Sequence, residues 1–232
     1  MRIESIEVYT AELRYAGEAY AFAGGRSYQA FTTTVVAVHT DTGDTGYGET
    51  CPCGPAYMPA FADGMPACLA QLAPALMGAD PRALTDIGRR MDAALAGHEA
   101  AKTAVDVACW DLLGKACGVP VHTLLGGRLA DTLPLHRIIP LAAPDTMRPM
   151  LADLRAQGFA SFQIKLGHAI ETDAALLRDL APDFAAGEVR VGDANGAWRR
   201  DEALRFSHAV GDLYVYLEQP CADYAACLAL RH

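Results

Sequence analysis

FQIKLG, residues 162–167, sets Gln163 and Lys165 inside an apolar run of strand character that stops at a glycine. Side chains alternate faces along a strand, so Gln163 and Lys165 share one face while Phe162, Ile164 and Leu166 take the other. An ammonium group rarely sits inside a protein without a partner. The neighbouring strands are the place to look for one.

Working outward, the chain from about Leu133 alternates strand and helix patterns. LPLHRIIPL reads as a strand and 144–157 as a helix. After FQIKLG comes a helix over ETDAALLRDL, then the strand EVRVGDAN, a helix over RDEALRFSHAV, the strand LYVYLEQP and a last helix from Asp223. Strands alternating with helices of this length predict βαβ units and a parallel sheet. Lys165, Asp193 and Glu218 each fall near a strand end, one strand–helix repeat apart. All C-terminal ends of a parallel sheet point one way, so the three meet on one rim. In a (β/α) barrel that rim gathers catalytic residues. Two carboxylates on adjacent strands, with Asn195 close by, form a hard oxygen site suited to Mg2+. A lysine beside a bound divalent cation is expected to have its charged form disfavoured and its pKa lowered. No GxGxxG is present, because Gly43, Gly46 and Gly48 have the wrong spacing, which argues against a dinucleotide fold.

The first part of the chain has an α+β pattern. IESIEVYTAEL and FTTTVVAVHTDTG are β-branched runs, followed by a short strand at TGYGE. Between the two long runs, RYAGEAYAFAGGRSYQ reads as a mobile loop. Asp80-Pro81 reads as the start of a helix. A second helix, EAAKTAVDVACWDLLGKACG, puts Ala101, Val105, Ala108, Leu112 and Ala116 on one core stripe, with Gly118 just past its end. Lys102 and Lys115 read as solvated, His98 as a helix cap, and His136 as a structural histidine.

The formal charge of -9, without a basic run, argues against a nucleic-acid partner. No window approaches a membrane span, and MRIESIEVYT lacks a signal-peptide layout. Seven cysteines without framework spacing read as reduced thiols in a cytoplasmic protein. The C-x-C pair at Cys51 and Cys53 has no matching second pair for zinc.

QIKLG, VGDANGAW, YLEQP and, upstream, GHEAAKTAVDVACWDLLGKACGVPVHTLLGG together resemble the mandelate racemase/muconate lactonizing enzyme branch of the enolase superfamily, from Met1 to His232. The resemblance implies an α+β N-terminal cap domain over residues 1–130, followed by an incomplete (β/α) TIM-type barrel over 131–232. It implies Mg2+ as cofactor, Asp193 and Glu218 as metal ligands, Asn195 in support, and Lys165 as the base. Gln163 stands where many relatives carry a first lysine that helps hold the base or the substrate carboxylate, and it is assigned to substrate binding. In such sites a lysine or histidine base works with Mg2+ to reach an enediolate-like intermediate.

GETCPCGPAYMP, GHEAAK and LEQPC resemble enzymes acting on proline-type substrates, the hydroxyproline betaine epimerases and cis-3-hydroxyproline dehydratases. QIKLG leans to the epimerases, AFAGGRSYQ and ACWDLLG to the dehydratases. The expected partner is a small-molecule carboxylate, with Tyr57, Tyr20 and Phe22 on loops over the site, where aromatic faces suit a substrate ammonium. The leading expectation is a racemase or epimerase, with a dehydratase and an inactive half-barrel fragment as alternatives. The resemblance also implies a third acid and a second lysine on strands after Glu218, which the sequence does not reach. Homo-oligomers are the expected assembly.

Overall fold

The computed structural model describes residues 1–15, 19–55 and 57–231, apart from the side chain of Phe22. The chain divides into two compact units, Met1–Gly17 with Gln29–Asp131, and Glu18–Tyr28 with Thr132–His232.

In the first unit β1 (Ile3–Arg14) pairs antiparallel with the later strand of Ala30–Thr40. Between them the chain forms β2 (Tyr20–Phe22) and β3 (Arg26–Tyr28), a small antiparallel hairpin assigned to the second unit. A hairpin therefore stands where the sequence reads as a loop. The Ala30–Thr40 strand is β4, and it pairs in turn with β5 (Thr45–Thr50), giving the order β1-β4-β5. Three helices follow, α1 (Met65–Leu76), α2 (Leu84–Ala94) and α3 (Glu99–Cys117). Their apolar faces bury Leu69, Leu72, Ile87, Val105 and Leu112 with Val36 and Val38 of the sheet.

Helix α3 lies directly on β5. A Cβ placed on Gly48 would stand 1.9 Å from the Ala104 carbonyl oxygen, and one on Gly46 would stand 2.2 Å from that of Ala108. Ala101, Val105, Ala108 and Leu112 are buried as the stripe predicts, whereas Ala116 is exposed near the helix end. Gly118 closes the helix in the left-handed conformation.

Two local expectations change. Asp80 caps a turn and not a helix. Its carboxylate accepts from the Arg82 backbone and guanidinium, and α2 starts only at Leu84. Lys102 is buried, because Asp92 of α2 takes its ammonium at 2.7 Å.

The remaining elements of the second unit, beyond its β2–β3 hairpin, follow α4 (Val121–Leu124), a short helix of the first unit. Strand β6 (Arg137–Ile139), α5 (Pro144–Ala156), β7 (Ser161–Lys165), α6 (Ile170–Leu180), β8 (Val189–Asp193), α7 (Arg200–Ala209), β9 (Tyr216–Glu218) and α8 (Tyr224–Leu228) follow in strict alternation. The four strands form one parallel sheet in the order β6-β7-β8-β9. This is the strand–helix order of a (β/α) barrel. Phe162, Ile164 and Leu166 bury one face of β7 among Met147, Leu151 and Leu177, which leaves Gln163 and Lys165 on the other. Among the described residues no helix is long and apolar enough to cross a membrane.

Candidate active site

Register brings the strand-end residues together. Lys165 of β7 is the lateral partner of Asp193 of β8, and Asp193 is the partner of Glu218 of β9, so the three form one row across three strands. Backbone hydrogen bonds carry the ladder past the strands, from Leu166 to Asp193 and from Ala194 to Glu218. Asn195 and Gln219, just beyond the two acids, both adopt left-handed backbone with φ of 47° and 39°. Non-glycine residues seldom sit there, and such conformations gather at functional sites.

Lys165 donates to Asp193 Oδ2 at 2.5 Å, with both side chains almost fully buried. Asn195 donates its backbone N–H to Asp193 Oδ1 at 2.8 Å and its side-chain amide to Oδ2 at 3.0 Å. Gln163 Nε2 donates to Glu218 Oε2 at 2.6 Å. Burial works against the charge on Lys165, but the hydrogen bond and charge of Asp193, aided by Tyr20, outweigh it and raise the lysine pKa. Asp193 faces the ammonium directly, and this pairing favours the charged form of Lys165.

The β2–β3 hairpin contributes to the same unit. The Tyr20 ring centroid lies 5.8 Å from Lys165 Nζ, a cation–π contact. Ala23 is buried against Gly167, where an added Cβ would meet Ala23 Cβ at 2.3 Å. With φ of +118°, Gly167 holds a turn that only glycine adopts readily. Asp173 fixes that turn from α6, accepting from the Gly167 N–H at 2.7 Å and facing His168 Nδ1 at 3.5 Å. Burial raises the Asp173 pKa against these bonds. Nothing in the sequence marks Asp173, since its partner is a backbone group.

Tyr57 belongs to the first unit, and the Phe22 side chain lies outside the described residues. His136 is exposed and bonds Ser161 at 3.1 Å.

Among the described residues no group of three or more His, Cys, Asp or Glu side chains is placed to hold a metal. The donor set nevertheless fits a hard cation. Asp193 and Glu218 are carboxylates in register on adjacent strands, and Gln163 Oε1 is a buried acceptor without a hydrogen-bond partner. A cation held there would compete with Lys165 for Asp193.

An α+β domain joined to (β/α) units with acids ending successive strands is the enolase-superfamily arrangement. Residues 6–126 match the mandelate racemase/muconate lactonizing enzyme N-terminal domain, and residues 146–232 match the enolase C-terminal domain-like family. The chain belongs to the mandelate racemase/muconate lactonizing enzyme family. It is 41% identical, over its whole length and 63% of the relative, to the cis-3-hydroxy-L-proline dehydratase of Roseibium aggregatum. It superposes with a TM-score of 0.93 on a mandelate racemase/muconate lactonizing enzyme from Roseovarius nubinhibens ISM, at 40% identity, covering 99% of this chain and 62% of that one. The dipeptide epimerase of Enterococcus faecalis V583, solved with Mg and the dipeptide L-Leu-L-Tyr, gives a TM-score of 0.91 at 26% identity, covering 99% and 65%. The chain thus spans less than two thirds of the length of each of these relatives.

Proposed function

We propose that this chain carries the proton-abstracting half of a dehydratase acting on a cis-3-hydroxyproline-type carboxylate, with Lys165 as the base and Asp193 and Glu218 as ligands of Mg2+. The row of Lys165, Asp193 and Glu218 in register on three strand ends supports the proton chemistry. The 41% identity to a cis-3-hydroxy-L-proline dehydratase supports the substrate class.

The Lys165 amine takes the proton α to the carboxylate as the C–H bond breaks. Mg2+, when bound, supplies positive charge against the developing dianionic enolate. Gln163 and Asn195 hold the two carboxylates in position through their amides, and Tyr20 walls the space beside Lys165. The electron pair left at the α-carbon expels the β-hydroxyl, and the proton held on Lys165 leaves with it as water. The enamine product then tautomerises to an imine.

The second reading is an epimerase of a proline-type betaine. It shares the first step, and the likeness to a dipeptide epimerase supports it. Proton NMR of each candidate substrate with Mg2+ in deuterium oxide separates the two. Loss of water supports the dehydratase, and α-proton exchange without it supports the epimerase. Neither change, in folded protein that binds Mg2+, would overturn both for this chain. Lys165→Ala should remove whichever change is seen.

A further inference from the structure

The first unit contains a second chemically distinct place, remote in sequence from the strand-end row. Cys68, the fourth residue of α1, has its Sγ 3.3 Å from His98 Nδ1, in the residue that precedes α3. Both side chains line one cavity of about 420 Å³, walled by Met58, Pro59, Phe61 and Met65. His98 holds a left-handed backbone with φ of 56°, directly after left-handed Gly97, and its ring caps no backbone N–H of α3. The imidazole is turned to the thiol instead.

We propose that Cys68 and His98 form a nucleophilic thiol site that adds small apolar electrophiles of the α,β-unsaturated carbonyl class entering this cavity. A thiol and an imidazole within hydrogen-bond reach are the pairing that activates cysteine nucleophiles. With Nδ1 as acceptor, the thiol proton passes to His98 as sulfur bonds the β-carbon. The C=C π pair moves toward the carbonyl, and His98 returns the proton to the α-carbon. The thioether adduct contains every atom of both reactants, so no oxidant is needed. The apolar wall favours a neutral electrophile over a charged one.

The other thiols are internal controls. Cys51 and Cys117 are exposed, whereas Cys109 is buried and its thiol is pushed up to about 12 by that burial. The test treats the whole chain with N-ethylmaleimide at neutral pH, follows each cysteine by peptide mass mapping, and repeats the series with iodoacetate. Cys68 should react about tenfold or more faster with the maleimide than Cys51 or Cys117, and its preference for the neutral reagent should exceed theirs. His98→Asn, which suits a left-handed position before a helix, should remove that advantage and leave Cys51 and Cys117 unchanged. A Cys68 rate no greater than those two, or one undiminished in the variant, overturns the proposal. Labelling of Cys109 in the variant would report lost folding, and the wild-type comparison then decides alone.

Discussion

Gln163 Nε2 lies 2.6 Å from Glu218 Oε2, so an amide on β7 reaches past β8 to a carboxylate on β9. A neutral donor orients the acid while leaving its charge for a cation. Gln163→Ala is expected to weaken Mg2+ binding by about tenfold, as loss of groups that orient ligands does. Isothermal titration calorimetry reads this directly. An unchanged affinity would separate Gln163 from the metal role proposed for Glu218.

Lys165 and Asp193 neutralise each other in a nearly closed environment, with side chains 6% and 2% exposed. Lys165→Met leaves a buried carboxylate without its cation and should cost about 3 kcal/mol in urea unfolding without divalent ions. Mg2+ should restore part of that stability more strongly than in the parent protein. If the variant is as stable as the parent, the pair does not hold this rim together.

Glu188 should contribute to the acid sensitivity of the fold. The Arg155 fork binds both of its oxygens, at 2.6 and 2.7 Å, with the Ala185 N–H at 2.9 Å. The Arg155 hydrogen bonds hold its carboxyl below the ordinary value of 4.5, against the opposing effect of burial. A depressed carboxylate stabilises the fold fully above 4.5, and that contribution fades as pH falls through the lower folded-state value. Stability measured against pH should therefore decline less steeply below 4.5 in Glu188→Gln. Identical slopes in the two proteins would contradict this assignment.

Gly48 lets the α3 backbone touch β5. Gly48→Ala would drive a methyl into the Ala104 carbonyl, which cannot swing aside, and should cost about 3 kcal/mol in chemical denaturation. Gly43, in the open turn before β5, has nothing within 4 Å of an added Cβ. Its alanine variant reports only left-handed strain and should cost about 1 kcal/mol. Equal losses at the two positions would mean that the helix yields.

The parallel sheet was legible because period-two alternation and a constant strand–helix repeat leave few registers for Lys165, Asp193 and Glu218. The hairpin around Ala23 was not. Its strands are three residues each and are joined through Ala23, Gly24 and Gly25, which reads as loop until Gly167 supplies a surface to pack on. Lys102 looked solvated on the helix pattern because its partner, Asp92, comes from another helix. Asp80 misled in the opposite way. An acid before proline resembles a helix start, but Arg82 captures both its oxygens first.

The contact of Ala23 with Gly167 also orders events in time. Ala23 is made early, whereas Gly167 follows roughly 140 residues later, about ten seconds of ribosomal elongation. For that interval the nascent hairpin has no surface to dock on, while β1 and β4 on either side already have each other. Closure of so distant a contact carries a large loop entropy and should come among the last steps of folding. The space beside Lys165 would then acquire its Tyr20 wall only after the strands that bear the acids are in place.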